Sequence, residues 1–384
     1  MAYDIKEEYL DFRKKVRRFA VESVRPVVSA YDKTLEFPRQ LFEEYCANGF
    51  LACEYNPDTG ELSYNMVKSM IGIEEVSREF GSLGLALCVQ LQCCMTLVHG
   101  GTSAQRKKWL PDMLTGKILM SFAMTEESGG SDAYGIATTA SKRDDGWVLN
   151  GSKCFITSAG VSDAYIIVTH TDTSVRDKEI TMFFVPADSP GFAVMPRNSF
   201  VGFNNTPHAT IRMTDCFVPD ICLLGEVDNS QRLTHTTLKH GRTAFAAIAI
   251  GLAEGAFHLA RDYTLTRNNF GRPLYVNQGV SFPLAEMYTN IYMARTSLYR
   301  VAKGLTNNNV ASSEVAALKL FSTEMSLKAC SDAMLLHGGI GFTHESDIMR
   351  ILRDAQMLRT AEGTSQICKV IISNHISKAE PDFI

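Results

Sequence analysis

The hydrophobic period of this chain changes twice along its length, and that change limits its fold more than any other feature. From residue 5 to about 118, apolar residues recur at three- and four-residue steps, in "DFRKKVRRFAVESV", "PRQLFEEYCANGF", "YNMVKSMIGIEEVSREF" and "AQRKKWLPDML". Such spacing gives a helix one apolar face. From about 119 to 226 the pattern becomes short alternating or β-branched runs, "GWVLNGSKCFIT", "AYIIVTH", "ITMFFVP", "GFAVM" and "ATIRMTDCFV", broken by Gly, Pro, Asp and Asn, as strands require. Helical spacing returns after Gly225, near 230 to 268, 279 to 305, 311 to 336 and 345 to 358, with a last segment from about 364. The expectation is a helical N-terminal domain (1–118), a compact middle β domain (119–226) and a helical C-terminal domain (227–384). A chain of 384 residues exceeds what one hydrophobic core usually holds, so several packed units are expected on size as well.

Composition narrows the function. An apolar fraction of 45%, a charged fraction of 21% and a net charge of -4 are those of an ordinary globular protein with no basic face for nucleic acid. The ten cysteines form no CxxC pair and have no histidine at metal-ligand spacing, so buried, reduced thiols and no metal site are expected. The N-terminal "MAYDIKEEYLDFRKKVRRF" is charged and amphipathic, without the apolar core of a secretory signal. The apolar piece "TAFAAIAIGLA", followed by Glu254, is far too short to cross a bilayer. These features predict no membrane span and a cytoplasmic protein, or a matrix protein after processing. Residues 243 to 260 are apolar on more than one face, which suggests burial against several neighbours, other subunits among them.

Three glycine- and hydroxyl-rich turns, "MTEESGGSD", "FITSAG" and "LLHGGIGF", would let backbone amides approach an anionic group. Each alone is more often a plain turn. None is a P-loop, and none is the GxGxxG of a dinucleotide-binding βαβ unit. Arg267 in "RNNFGRPL" offers a fork of donors suited to a pyrophosphate, or a solvated arginine at a helix end. In "RTAEGTSQICKVI", Glu362 stands alone ahead of an apolar helical run. Thr364 or Ser365 would cap that helix, and the acid reads as a solvated turn residue unless the rest of the chain supplies a use for it.

Taken in order, these segments resemble the acyl-CoA dehydrogenase family over nearly the whole chain. "AMTEESGGSD" is similar to that family's first flavin segment, "CFIT" to its second, and "FVPDICLLGE" to the end of its β domain. "RNNFGRPL" with "NQGVSFPLAEM" resembles its flavin-binding arginine and glutamine region, "HGGIGF" its flavin-contacting glycines, and "AEGTSQI" its catalytic signature. The resemblance implies an α+β multidomain fold: a helical N-terminal domain, a β-barrel or sandwich-like middle domain and a C-terminal four-helix bundle. It also implies a homotetramer, a dimer of dimers, that binds FAD, acts on acyl-CoA in fatty-acid or amino-acid catabolism and passes electrons to an electron-transfer flavoprotein. Residue by residue, Thr125 and Ser131 would lie on the flavin and at the ligand's entry. Phe155 and Thr157 would cover the isoalloxazine, while Arg267, Asn269, Phe270 and Gln278 would hold the adenine half and pyrophosphate of a neighbouring subunit's FAD. Gly338, Gly339, Thr364 and Gln366 would bind the same cofactor. Lys239, His240 and Arg242 match the segment that approaches the acyl-CoA, with Ser131 and Gly363 also on the substrate side.

The resemblance gives Glu362 a use as the catalytic base. An α-proton of a saturated thioester is weakly acidic, so its removal needs a carboxylate at contact distance in a dry site that raises the carboxylate's pKa. The enolate oxygen would be met by the Glu362 amide and a ribityl hydroxyl of FAD, and the β-hydride would pass to the flavin. Some relatives carry the base near 241, where this chain has Gly241, which argues for the short- and medium-chain type. Glu127 and Ser128 replace a usual proline and glycine, Leu335 a frequent glutamine near the flavin, and Ala361 a frequent tyrosine beside the base. Three rivals remain: a flavin monooxygenase on the same scaffold, whose members generally lack the glutamate, a dehydrogenase of acyl groups tethered to a carrier protein, and a flavin-free scaffold protein, which would show no yellow colour when purified.

Overall fold

The computed structural model describes residues 7–171, 180–344 and 346–378. Residues 5 and 6 of the first helical stretch, 172–179 of the β domain, Glu345 and 379–384 lie outside the described residues.

The first third holds α1 (Glu7–Phe19), α2 (Val28–Thr34), α3 (Arg39–Ala47), α4 (Met66–Ser77), α5 (Gly81–Gly100) and α6 (Ser103–Leu114). It is not all helix as the spacing predicts, because β1 (Cys53–Tyr55) and β2 (Leu62–Tyr64) form an antiparallel hairpin between α3 and α4. Local turn chemistry makes it: Asn56 Oδ1 accepts from the backbone N–H groups of Asp58 (2.9 Å) and Thr59 (3.2 Å), and Gly60 takes φ 73°. No stripe announces α5, since its residues 81–98 are buried on every side.

The middle third is a mixed eight-stranded sheet built from β3 (Met120–Ala123), β4 (Thr139–Arg143), β5 (Gly146–Thr157), β6 (Ala164–His170), β7 (Ile180–Pro186), β8 (Phe192–Arg197), β9 (His208–Pro219) and β10 (Leu223–Leu224). The strand order is β10-β7-β6-β4-β5-β9-β8, with β3 pairing parallel to β6. The long β5 and β9 run antiparallel and carry two register shifts, one of them between Lys153 and Ile156.

The last third holds α7 (Gln231–Thr266), a short hairpin of β11 (Asn268–Asn269) and β12 (Arg272–Pro273), then α8 (Gln278–Thr306), α9 (Ser312–Leu336), α10 (Asp347–Met357) and α11 (Ser365–Ile376). Helix α7 packs against α4, α5, α8 and α9. Glycines bring it to α4 at backbone distance: a Cβ on Gly251 would lie 2.4 Å from the Glu74 carbonyl oxygen, and one on Gly255 2.5 Å from that of Arg78. A buried ionic network spans the same joint, with Arg78 Nη1 3.1 Å from Glu254 Oε1, Arg295 Nε 2.6 Å from Glu74 Oε1, and Tyr299 donating to Glu74 Oε2 at 2.7 Å. Desolvation offsets much of what such pairs gain, so their clearest effect is to fix which faces meet.

One expectation changes here. The apolar piece at 243–253 lies within the 36-residue α7, and α5 and α7 are each long and apolar enough to cross a membrane by length and composition. Both are instead largely buried inside the protein, which suits core helices, so burial rather than shortness accounts for their apolar character. All ten cysteines are free and buried.

Gly251→Ala should lower stability by about 1–3 kcal/mol, the usual cost of overpacking. Chemical denaturation at constant m-value measures it, and an unchanged midpoint would mean that α4 and α7 have room to separate.

Candidate active site

A cavity lies where the three regions meet. About 610 Å³ in volume, it is walled by α5 (Val89), the turn after β3 (Met124, Thr125, Ser131), the end of β5 (Phe155, Thr157), α7 (Leu238, Arg242, Phe245) and the segment from Met357 to Ile367.

Its β wall depends on irregular backbone. The register shift after Lys153 places Cys154 and Phe155 opposite a single partner residue, and Phe155 takes φ 58°. A bulge of this kind turns a side chain away from the sheet's alternation. Phe155 therefore stays 58% exposed at the cavity, its ring edge-on to Phe200, which stacks on His208 at 4.5 Å. Burial drives the His208 imidazole down to about 4, helped by Arg197, so the ring is neutral at pH 7. The turn holding Thr125 is anchored from below by a buried pair, Lys153 Nζ to Glu126 Oε1 at 2.7 Å. Glu126 also accepts from the backbone of Ala137 (2.6 Å) and Thr138 (3.0 Å) and from the Thr138 hydroxyl (2.6 Å). Burial alone would raise the Glu126 carboxyl, but Lys153 and these donors hold it below the usual range. Burial brings Lys153 down to about 8 against the pull of Glu126. Glu127 and Ser128 sit outside this anchor on an exposed turn closed by Glu126 and Gly129.

The opposite wall presents Glu362 in the left-handed region (φ 55°), followed by Gly363 at φ 95°, a conformation uncommon for a residue with a Cβ. Two buried cations hold it: Arg242 Nε donates to the Glu362 carbonyl at 3.0 Å and Lys319 Nζ to the Gly363 carbonyl at 2.8 Å. Thr364 then caps α11, its side chain accepting from the Ile367 N–H at 3.2 Å. Burial raises the Glu362 carboxyl above the ordinary carboxylate value, opposed by Arg242, a hydrogen bond from Gln92 and Lys319. A carboxylate with raised proton affinity on a largely apolar wall can take a proton from a weak carbon acid.

Thr125, Ser131, Phe155, Thr157, Arg242, Glu362, Gly363 and Thr364 all line this one cavity. Lys239 and His240 do not: Leu238, Arg242 and Phe245 share one face of α7, and the two residues between them point elsewhere. Lys239 donates to the Val310 carbonyl at 3.0 Å, and His240 is buried against His99 with its ring driven down to about 3 by burial. Gln366 is exposed on the outer side of α11, and Leu335, 62% exposed at the end of α9, is also off the wall. Arg267, Asn269, Phe270 and Gln278 are exposed around the β11–β12 hairpin, and Gly338 and Gly339 are exposed beyond α9, all outside the cavity. Motif reading missed Gln92, Lys319, Phe200 and His208. The one available signal was polarity inside apolar runs, as in "LALCVQLQCCMTLV" and "VAALKLF".

The chain matches family models over nearly its full length: "Acyl-CoA dehydrogenase, N-terminal domain" at 6–117, "middle domain" at 121–216 and "C-terminal domain" at 231–377. It is 33% identical to an acyl-CoA dehydrogenase of Bacillus subtilis (strain 168), over 97% of this chain and 98% of that one. Among solved structures, butyryl-CoA dehydrogenase from Megasphaera elsdenii superposes with a TM-score of 0.94 at 28% identity, covering 98% of this chain and 100% of the other. The prolyl acyl carrier protein oxidase AnaB superposes at 0.92 with 27% identity over 98% and 100%.

Lys153→Met would leave Glu126 buried without its cation. A loss of about 3–5 kcal/mol is expected, as for other broken buried pairs, read by denaturant unfolding. A loss below about 1 kcal/mol would show that the three remaining donors suffice for the carboxylate.

Proposed function

The chain belongs to the acyl-CoA dehydrogenase family, and from that premise we propose that it introduces an α,β double bond into an acyl thioester, with Glu362 as the base. It is a flavin-dependent oxidoreductase. The residues suit FAD: an exposed Phe155 ring, Phe200 and Ile156 offer apolar faces, and Thr125 and Thr157 on the β wall and Thr364 on the opposite wall offer hydroxyls. Bound FAD supplies the acceptor for the electron pair and hydrogen lost from the β-carbon.

The single observation that carries the reading is that Glu362 shares a cavity with Phe155 and Thr157. A thioester lying between these walls has its α-carbon toward the carboxylate. Glu362 takes the α-proton, and its raised proton affinity brings it nearer to that of the carbon acid. Arg242 and Lys319 hold the peptide carbonyls on either side of the Glu362–Gly363 bond and so keep the base from drifting. Phe245, Leu238 and Val89 keep water from the reacting carbons. Arg267, Asn269, Phe270 and Gln278 face away from this cavity, so in this proposal they serve the cofactor of a neighbouring copy in a homotetramer. An electron-transfer flavoprotein is the proposed acceptor, and the cytoplasm the proposed compartment.

A carrier-protein thioester is the second reading, supported by Ala361 on the cavity wall and by the similarity to a prolyl carrier protein oxidase. Anaerobic mixing with a panel of acyl-CoA thioesters, and with the same acyl groups on a carrier protein, separates the two by which set bleaches the flavin.

Glu362→Gln should retain FAD and bind ligand yet lose flavin bleaching by at least about 10²-fold, the lower range for a general base. Unchanged bleaching would reject Glu362 as the base. Thr157→Ala should slow flavin reduction with the thermal midpoint preserved, and an unaltered rate would remove Thr157 from the flavin's side.

A further inference from the structure

Helix α5 buries two glutamines in an apolar run, and they are used differently. Gln90 is fully engaged: Nε2 donates to the carbonyls of Met113 (2.7 Å) and Ile118 (2.9 Å), and Oε1 accepts from the Met120 N–H (2.8 Å). It ties α5 to α6 and β3 and needs no other explanation. Gln92, two residues on and therefore on another face, is 1% exposed. Its Nε2 lies 3.3 Å from each carboxylate oxygen of Glu362, and its Oε1 has no hydrogen-bond partner among the described residues. A buried amide with half its capacity unused is not explained by packing, because leucine or methionine would fill the space with no orphan.

The backbone of α7 completes the arrangement. A Cβ on Gly241 would lie 2.5 Å from Glu362 Oε2 and 2.6 Å from Gln92 Nε2, so only glycine leaves room for carboxylate and amide to meet there. We infer that Gln92 is a positioning residue for the base: its amide and the bare backbone at Gly241 form a notch that orients the Glu362 carboxylate and favours its ionised form. The inference rests on the reading of Glu362 as the base.

The charged and titratable groups facing Glu362 are few. Arg242 on α7 and Lys319 on α9 favour the ionised carboxylate, while the thiols of Cys88 and Cys93 on α5 are pushed well up by burial and by Glu362 itself. Those thiols stay protonated through the neutral range and do not mask the carboxylate's titration. Loss of the Gln92 N–H donor removes one of three influences that hold the carboxyl down, so the midpoint of the carboxylate must rise.

The test is a direct titration of Glu362 in the FAD-loaded enzyme by pH-difference infrared spectroscopy. Uniform carbon-13 labelling of glutamate marks the bands, and subtraction of the Glu362→Gln spectrum isolates the one of interest. In Gln92→Leu the midpoint should move up by about one pH unit or more, in line with a hydrogen bond to a charged group, with FAD retained. An unmoved or lowered midpoint in folded, FAD-loaded protein overturns the inference. Should Gln92→Leu fail to load FAD, Gln92→Met, which keeps the side-chain length without the N–H donor, decides in its place. There the midpoint should rise as in Gln92→Leu, and no rise overturns the inference. Failure of both variants to fold would assign Gln92 a structural role and overturn it too. Because the readout is the carboxylate and not turnover, unchanged bleaching in Glu362→Gln would sink the base assignment while leaving this result to stand or fall alone.

Discussion

Helix α7 is the constraint on which the remainder depends. Its residues from Gly241 to Ala253 are buried without interruption, and three of its glycines meet neighbours at distances that no side chain would allow. Gly251 and Gly255 set the approach of α4, while Gly241 sets that of α5 and of the Glu362 carboxylate. Packing of this kind has few alternatives, because a shift of even a methyl group is felt across a close-packed interior. The face of α7 that carries Leu238, Arg242 and Phe245 is thereby fixed relative to the sheet, and with it one side of the cavity.

The second anchor is electrostatic and acts on backbone. Arg242 and Lys319 approach successive peptide carbonyls at the point where the chain turns through the left-handed region. Charge-assisted hydrogen bonds are stronger than neutral ones, and here they stabilise a conformation that Glu362 would rarely adopt on its own. The opposite wall uses a related device: the buried Lys153–Glu126 pair, with its extra donors, holds the turn that presents Thr125. Lys319, Lys153 and Glu126 act beneath the surface that a ligand would touch, while Arg242 itself lines the cavity.

Much of this could be read from the residues, and what could not has physical causes. Strand β5 ran its full length in the sequence pattern as two short apolar runs joined by a polar stretch, and α7 to α11 carried clear helical spacing. Helix α5 was silent because a helix buried on all sides has no polar face to set a period. The hairpin of β1 and β2 was hidden because three-residue strands are too short to alternate detectably. Within the site, Glu362, Thr125 and Thr157 came from motif resemblance, whereas Gln92 and Lys319 became candidates only once α5, α9 and the 362–363 turn were seen in one place. Lys239 and His240 show the converse: adjacency in sequence to Arg242 says nothing about which way a helical side chain points.

Ten thiols enclosed in apolar surroundings have a practical meaning for anyone handling the protein. Alkylating reagents and peroxide attack thiolates, and these groups keep their protons; burial pushes Cys53 up to about 12 and Cys216 and Cys222 to about 11. Reaction therefore waits on opening of the surrounding structure, and the rate at which a maleimide dye is incorporated becomes a clock for how often each layer of the molecule comes apart.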